Sequence, residues 1–308
     1  MLQLLEKVRY SIAALVIGSV FVALGYYRVV DVKPLRVSSL ARPNAVLLGI
    51  GIAMLAVSVG AGILSQFGDA LWLPSFARRV KKTDAGWCTQ FGGATIRVVL
   101  GRIEEVAKPL PNALVVLPAN EFFDDECITD RGSALGAFVA HHFATQTSHL
   151  LDLLSERLKP LPTTDVERAR GVRKASYGVG ATAFLSRVLG TSWNLMLGAA
   201  TTQRAGEGLR AEIRTIFTLA DAIEGTMADH RLTDVTLPLI GSGHGGLRKP
   251  AALSALLVAF VEVLRRPAGH GIKNVSIVIY QGGPKDPPEI NARLVRRTMA
   301  RVLDLYAT

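Results

Sequence analysis

The chain is poor in cysteine: Cys88 and Cys127 are the only two among 308 residues. They lie far apart and match no metal-ligand spacing, which excludes a disulfide framework and a zinc site and fits a reducing compartment. No internal repeat and no long low-complexity tract is visible, which excludes a repeat architecture. Aromatic residues are not interleaved with basic ones, and no nucleic-acid motif is recognisable. The net charge of +10, carried mostly by arginine, is therefore not read as nucleic-acid binding. It suits a phosphate-bearing ligand or an anionic membrane surface instead.

Apolar residues are plentiful, and they are unevenly spread. Mean hydropathy is +0.31, and the excess sits in the first 70 residues or so. SIAALVIGSVFVALGYY (Ser11–Tyr27) and NAVLLGIGIAMLAVSVGAGILSQF (Asn44–Phe67) carry no charge. About 20 apolar residues in a helix cross a bilayer core of about 30 Å. The second run reaches that length directly. The first does so if it continues through Val29–Val30 with Arg28 snorkelling to the interface. Tyr10, Tyr26 and Tyr27 stand at its ends, where aromatic rings prefer to lie. The expectation is a transmembrane hairpin in residues 1–70, with helices at 11–30 and 44–67, then a juxtamembrane linker over 71–90. Basic flanks (Lys7, Arg9, Arg78, Arg79, Lys81, Lys82) modestly outweigh the linker's Arg28, Lys33, Arg36 and Arg42, which places both ends in the cytoplasm. Small residues four apart, Gly49/Ala53 and Ala56/Gly60, permit close helix packing within one hairpin or between chains.

Residues 91–308 read as an α/β domain. Strands are expected at Ala94–Gly101, Ala113–Asn120, Ser176–Leu185, Trp193–Thr202, Asp234–Gly243 and Asn274–Gln281. Helices are expected at Ser133–Leu158, Glu207–Met227, Pro250–Arg265 and Ile290–Leu305, with Pro160–Arg173 a surface loop. Alternating strands and helices imply a mixed, mostly parallel sheet with helices on both faces. Ligands of such sheets bind outside the carboxyl ends of the strands.

Two loops have the composition of phosphate cradles. NEFFDDECITDRGSALGAF follows the buried strand ending at Asn120, and PLIGSGHGGLRKP spans Pro238–Pro250. Glycine lets backbone N–H groups converge on an anion, and a following helix N-terminus adds about half a positive charge. Two such sites suit a diphosphate with its flanking riboses.

In order and context, GRI (Gly101–Ile103), VLPAN, GSALGAF, PLIGSGHGGL and the IVIY strand resemble the macro domain family, which binds ADP-ribose and its derivatives. The resemblance covers roughly Ala94 to Leu305. It implies a ligand set of Asn120 at the distal ribose; Gly132, Ser133, Ala134, Leu135 and Gly136 at the first phosphate loop; and Gly241, Ser242, Gly243, His244, Gly245 and Gly246 at the second. Arg102 and Tyr280 complete it. The chain departs from the family in two places. Leu135 stands where hydrolytic macro domains often carry an aspartate. Arg102 stands where the adenine-reading aspartate usually lies, with Glu104 and Glu105 nearby. The two-helix leader plus a divergent macro domain resembles the Thoeris ThsA effectors of the type II kind. That resemblance implies an anti-phage effector in the bacterial inner membrane, multi-pass, with the macro domain in the cytoplasm. Its signal is expected to be an ADP-ribose derivative, histidine–ADP-ribose, made by a TIR-domain partner that consumes NAD. Homo-oligomerisation and membrane disruption follow, with no cofactor, metal or catalysis. The alternative is a membrane-tethered ADP-ribosyl hydrolase.

Other residues read more plainly. Asp124, Asp125, Glu126 and Asp130 form an acidic run, read as a solvated loop or as a device that repels free ADP-ribose and favours a cationic conjugate. Arg204 and Arg248 join Arg102 as anion-contact candidates. His141 and His142 read as structural or exposed, Trp87 and Trp193 as packing residues. Cys127, beside acids and no base, is not read as a nucleophile.

Overall fold

The computed structural model describes residues 79–203, 208–282 and 290–306. The chain divides into two units, Met1–Leu73 and Pro74–Thr308, and the described residues belong to the second. The hairpin expected at 11–30 and 44–67 lies outside the described residues. Among those described, no helix is long and apolar enough to cross a membrane.

Eight strands form one mixed sheet among the described residues. They are β1 (Lys81–Thr83), β2 (Gly86–Phe91), β3 (Ala94–Leu100), β4 (Ala113–Asn120), β7 (Thr182–Leu185), β8 (Asn194–Thr201), β9 (Asp234–Pro238) and β10 (Asn274–Ile279). Their order is β1-β2-β3-β10-β9-β4-β8-β7. The five central strands, β3-β10-β9-β4-β8, are parallel throughout, and the outer pairings are antiparallel. Burial explains the composition. β4 (ALVVLPAN) and β8 (NLMLGAAT) are covered on both faces and read as continuous apolar runs. The sheet starts earlier than the boundary at residue 91 anticipated, because β1 and β2 fall in the stretch expected to be linker.

One helical layer contains α1 (Ile103–Val106), α2 (Asp125–Thr129), α3 (Ala134–His142) and α4 (Thr147–Leu158). Phe138, Leu150, Leu154 and Trp193 pack there with Val115, Leu117, Leu195 and Leu197 of the sheet. The second layer contains α5 (Ile213–Asp229), α6 (Lys249–Arg265) and α7 (Ala292–Leu305), with α5 packed on α6 and α6 on α7. Gly198 lets α5 pack closely on β8: a Cβ there would lie 2.7 Å from the tip of the Leu219 side chain.

Several boundaries differ from the sequence reading for local reasons. The helix expected over Ser133–Leu158 is two helices. Phe143 leaves helical geometry at φ −133° and is buried, so packing breaks the helix without glycine or proline. The helix expected from Glu207 begins at Ile213. The strand expected over Ser176–Leu185 is confined to β7, because Gly178 and Gly180 take φ of +82° and +94°. The expected loop Pro160–Arg173 contains half of a separate hairpin, β5 (Thr164–Ala169) and β6 (Val172–Ser176), turning at Gly171 with φ +74°.

Candidate ligand-binding cleft

Five adjacent parallel strands place their carboxyl ends along one edge, where open α/β sheets bind ligands. A cleft of about 780 Å³ lies there, lined from Gly101 after β3 to Gln203 after β8. That volume suits a dinucleotide-sized ligand. It brings together Arg102, Asn120, Gly132, Ser133, Ala134, Gly241, Ser242, Gly243, His244, Gly245 and Tyr280, residues far apart in sequence.

The second glycine loop forms one wall. Its own hydrogen bonds use the N–H groups of Ser242, Gly246 and Leu247. The N–H groups of Gly243, His244 and Gly245 have no backbone partner among the described residues. Two glycines here are dictated by space. Gly241 has φ +79°, and its Cβ would lie 2.8 Å from Leu247; a Cβ on Gly245 would lie 2.6 Å from Ala211. Ala211 N–H donates to the Gly245 carbonyl at 2.9 Å, pinning the loop to the segment before α5. Gly246 does not line the cleft, contrary to expectation; its role is its φ of +72° in the turn.

The first loop forms the opposite wall through the N-terminus of α3. Ser133 caps that helix, its hydroxyl accepting from Gly136 N–H at 2.9 Å and donating to the Asp130 carbonyl at 2.8 Å. Gly132 N–H donates to the Asp130 side chain at 2.8 Å. Leu135 and Gly136 do not line the cleft. Leu135 turns its side chain into the core and is 1% exposed. Gly136 serves packing, since its Cβ would lie 2.0 Å from the Asp130 carbonyl oxygen.

The two poles differ. At the β3/β10 pole the Arg102 guanidinium lies 5.2 Å from the centre of the half-exposed Tyr280 ring and 3.5 Å from Glu104, which is buried. His142 braces this pole from behind: its Nε2 lies 2.9 Å from the Glu104 carbonyl oxygen, and its ring packs on Phe138 and Trp193. Burial lowers the His142 pKa, partly opposed by that carbonyl, which favours the neutral ring. Trp193 is a packing residue, as expected.

At the β4/β8 pole Asn120 is buried. Its amide donates to Asp124 at 3.0 Å, and its carbonyl accepts from Phe122 N–H at 3.0 Å. Phe123 is held at φ +46°, a strained conformation for a bulky residue, by burial and an edge-on contact with Tyr177. Glu121 is 1% exposed and accepts from Ser176 at 2.6 Å and Thr202 at 2.5 Å, tying the ends of β4, β6 and β8 together.

The acidic run is not uniformly solvated. Asp124 is buried and meets Arg168 at 2.5 Å and Lys174 at 3.1 Å, both from the β5–β6 hairpin. Burial pushes its carboxyl upward, but hydrogen bonds from Asn120 and Lys174 and the charges of Arg168 and Lys174 outweigh it and hold the pKa below the ordinary carboxylate value. Cys127 Sγ donates to the Asp124 carbonyl at 3.0 Å. Burial and then the Asp124 charge push its thiol up to about 12, consistent with an inert side chain. Across the cleft mouth His244 Nε2 lies 3.6 Å from the Asp130 carboxylate, so the two loops face each other.

Arg204 lies outside the described residues, and Arg248 is exposed and does not line the cleft. Lys249, Arg168, Thr201 and Gln203 line it and escaped the sequence reading. Lys249, beside the glycine loop, was legible; Arg168 arrives from a hairpin taken for a loop. Among the described residues no cluster suited to a metal ion occurs.

A mixed sheet whose parallel centre ends in two facing glycine-bearing loops defines a macro domain. Residues 96–280, more than half of the chain, match the family model described as Thoeris protein ThsA, Macro domain, and the chain belongs to that family. It is a divergent member of the wider fold. It is similar to the Oceanobacillus iheyensis macrodomain with MES bound (11% identity, TM-score 0.49, covering 71% of this chain and 97% of that one). It is also similar to that organism's macrodomain with ADP (12% identity, TM-score 0.48, 71% and 96%). A third is the macrodomain of Thermus aquaticus DarG (15% identity, TM-score 0.38, 61% and 98%). No curated protein matches the chain. The family ties the chain to anti-phage defence and to ligands related to ADP-ribose.

Proposed function

We propose that this chain is a sensor and effector: its macro domain binds an ADP-ribose derivative, and binding triggers self-association and disruption of the bacterial inner membrane. The observation that carries the binding step is the pair of opposed donor sets. Gly243, His244 and Gly245 line one wall with N–H groups that have no backbone partner among the described residues, and the capped N-terminus of α3 lines the other. A pyrophosphate between them receives backbone hydrogen bonds and the field of a helix end. The adenine then lies at the Arg102–Tyr280 pole and the distal ribose at Asn120, whose amide has a second N–H beyond the one given to Asp124. By resemblance to its family the signal is histidine–ADP-ribose, supplied by a TIR-domain enzyme from NAD. The membrane anchor is the hairpin at 11–30 and 44–67, with the macro domain in the cytoplasm. Clustered hairpins would associate through avidity once the domains assemble. Binding is read as non-catalytic, without cofactor or metal, and the inward-facing Leu135 supports this.

Calorimetry of the full chain against ADP-ribose and histidine–ADP-ribose tests the binding step, with the conjugate expected to bind more tightly. Deleting residues 1–70 is expected to keep binding and abolish toxicity in cells. A truncated chain that still kills refutes the membrane step.

One observation favours a second reading, an ADP-ribosyl hydrolase tethered to the membrane. His244 Nε2 and the Asp130 carboxylate lie 3.6 Å apart across the cleft mouth, beyond hydrogen-bond distance but near enough to bring an imidazole and a carboxylate to one ligand. Turnover of an ADP-ribosylated substrate that is lost in His244→Ala would establish it and displace the sensor reading.

A further inference from the structure

The β4/β8 pole carries a charged group that a neutral ribose does not need. Arg168 reaches it from β5, lines the cleft and is 15% exposed along its side chain. Its Nη1 donates to Asp124 at 2.5 Å, its Nε to Gln203 at 3.0 Å and its Nη2 to Glu126 at 2.5 Å, while the guanidinium lies 5.1 Å from the centre of the Phe122 ring. These partners differ in strength. Asp124 is 5% exposed, so that pair and the Gln203 bond fix the guanidinium in place. Glu126 is 77% exposed, and an exposed ion-pair partner contributes little. Asp124 is already matched by two cations, Arg168 and Lys174. Arg168 and Lys174 thus balance Asp124 and Glu126, and displacing the exposed Glu126 would free one positive charge beside the distal end of the cleft.

We propose that Glu126 is a stand-in, and that Arg168 binds an anionic group carried on the distal ribose of the ligand, exchanging Glu126 for it. This rests on the ADP-ribose reading above and gives the ligand class a sign. At this pole the acidic run does not select a cationic conjugate, because Asp124 is neutralised and Glu126 occupies the guanidinium only until a better acceptor arrives. A guanidinium offers planar, forked donors to either a carboxylate or a phosphate, so both sources share the chemistry.

The test is calorimetry of the full chain with four probes: ADP-ribose, ADP-ribose 1″-phosphate, histidine–ADP-ribose, and the same conjugate with its carboxylate converted to carboxamide. A hydrogen-bonded charge of this kind changes affinity by about tenfold to a hundredfold. The wild-type chain is expected to prefer at least one probe with an anionic group on the distal ribose over the counterpart lacking that group by that factor. Preference for the phosphate identifies phosphate as the source; preference for the carboxylate identifies an amino-acid conjugate. In Arg168→Gln the ratio falls to about one. Because Arg168 also fastens the hairpin, Glu126→Gln supplies an independent reading: it removes the competitor, and the ratio rises. No preference in the wild-type chain, or a preference that survives in Arg168→Gln, overturns the inference while leaving the ADP-ribose reading intact. Failure of all four probes to bind overturns that reading itself.

Discussion

Gly243 offers the cleanest perturbation of the cleft. Nothing lies within 4 Å of the Cβ it would carry, so a side chain can be added without moving the loop. Gly241 does not share this property: its positive φ and its neighbours Leu247 and Ala211 mean that any substitution strains the turn itself. Gly243→Ala is therefore expected to bind ADP-ribose about as well as the wild-type chain. Gly243→Glu brings a carboxylate to the mouth of an anion cradle. At about 6 Å from a phosphate charge, with an effective dielectric constant of about 20, one pair repels by about 2.8 kcal/mol. A pyrophosphate carries more than one such charge, and salt screens part of the sum. The net effect is an affinity loss of roughly a hundredfold. Calorimetry gives the affinity, and a thermal melt run beside it shows whether the fold survives. If Gly243→Glu binds ADP-ribose within about threefold of wild type and melts at the same temperature, the glycine loop does not hold the ligand's phosphates.

Three further outcomes follow from the geometry. Gly136→Ala forces a methyl against the Asp130 carbonyl, a backbone atom, and is expected to cost about 1–3 kcal/mol; an unchanged urea midpoint would count against the packing role assigned to Gly136. Asp124→Asn should lower stability at neutral pH. Because the folded pKa lies below the ordinary value of 3.8, the wild-type advantage is full above that value and shrinks as pH falls through the depressed pKa. Melting curves of both proteins should converge in strong acid, and parallel curves would exclude the ion pairs as the source. Cys127, half-buried with its thiol pushed up to about 12, should react slowly with maleimide at about pH 8 until the chain is unfolded; peptide mapping that finds rapid labelling of Cys127 in the native protein would contradict the raised thiol pKa.

The parts of this molecule visible in the sequence are those whose cause is local. β4 and β8 announce themselves as unbroken apolar runs because both faces are covered, and the Gly241–Gly246 loop because a positive φ at Gly241 and close neighbours at Gly245 favour glycine there. The break at Phe143 was hidden because burial of one ring, with no breaker residue, ends the helix. The β5–β6 hairpin was hidden for a different reason. Its alternating charges, Asp165, Glu167 and Arg173, look like solvated loop, and Asp165 pairs with Arg173 only across the turn. Arg168 depends on Asp124 and Gln203, both distant in sequence, so no local pattern marks it as a wall of the cleft. A glycine at a helix start, such as Gly136, has the same appearance in sequence whether it approaches a ligand or a neighbouring carbonyl.

Strand order has a temporal consequence. β10, the last strand of the sheet to leave the ribosome, inserts between β3, near the domain's beginning, and β9. Until it does, β3 and β9 have no partner on that side, and the pole bearing Tyr280 does not exist. Such long-range parallel pairing is late and slow. A nascent or prematurely terminated chain that ends before β10 therefore lacks a finished ligand cleft.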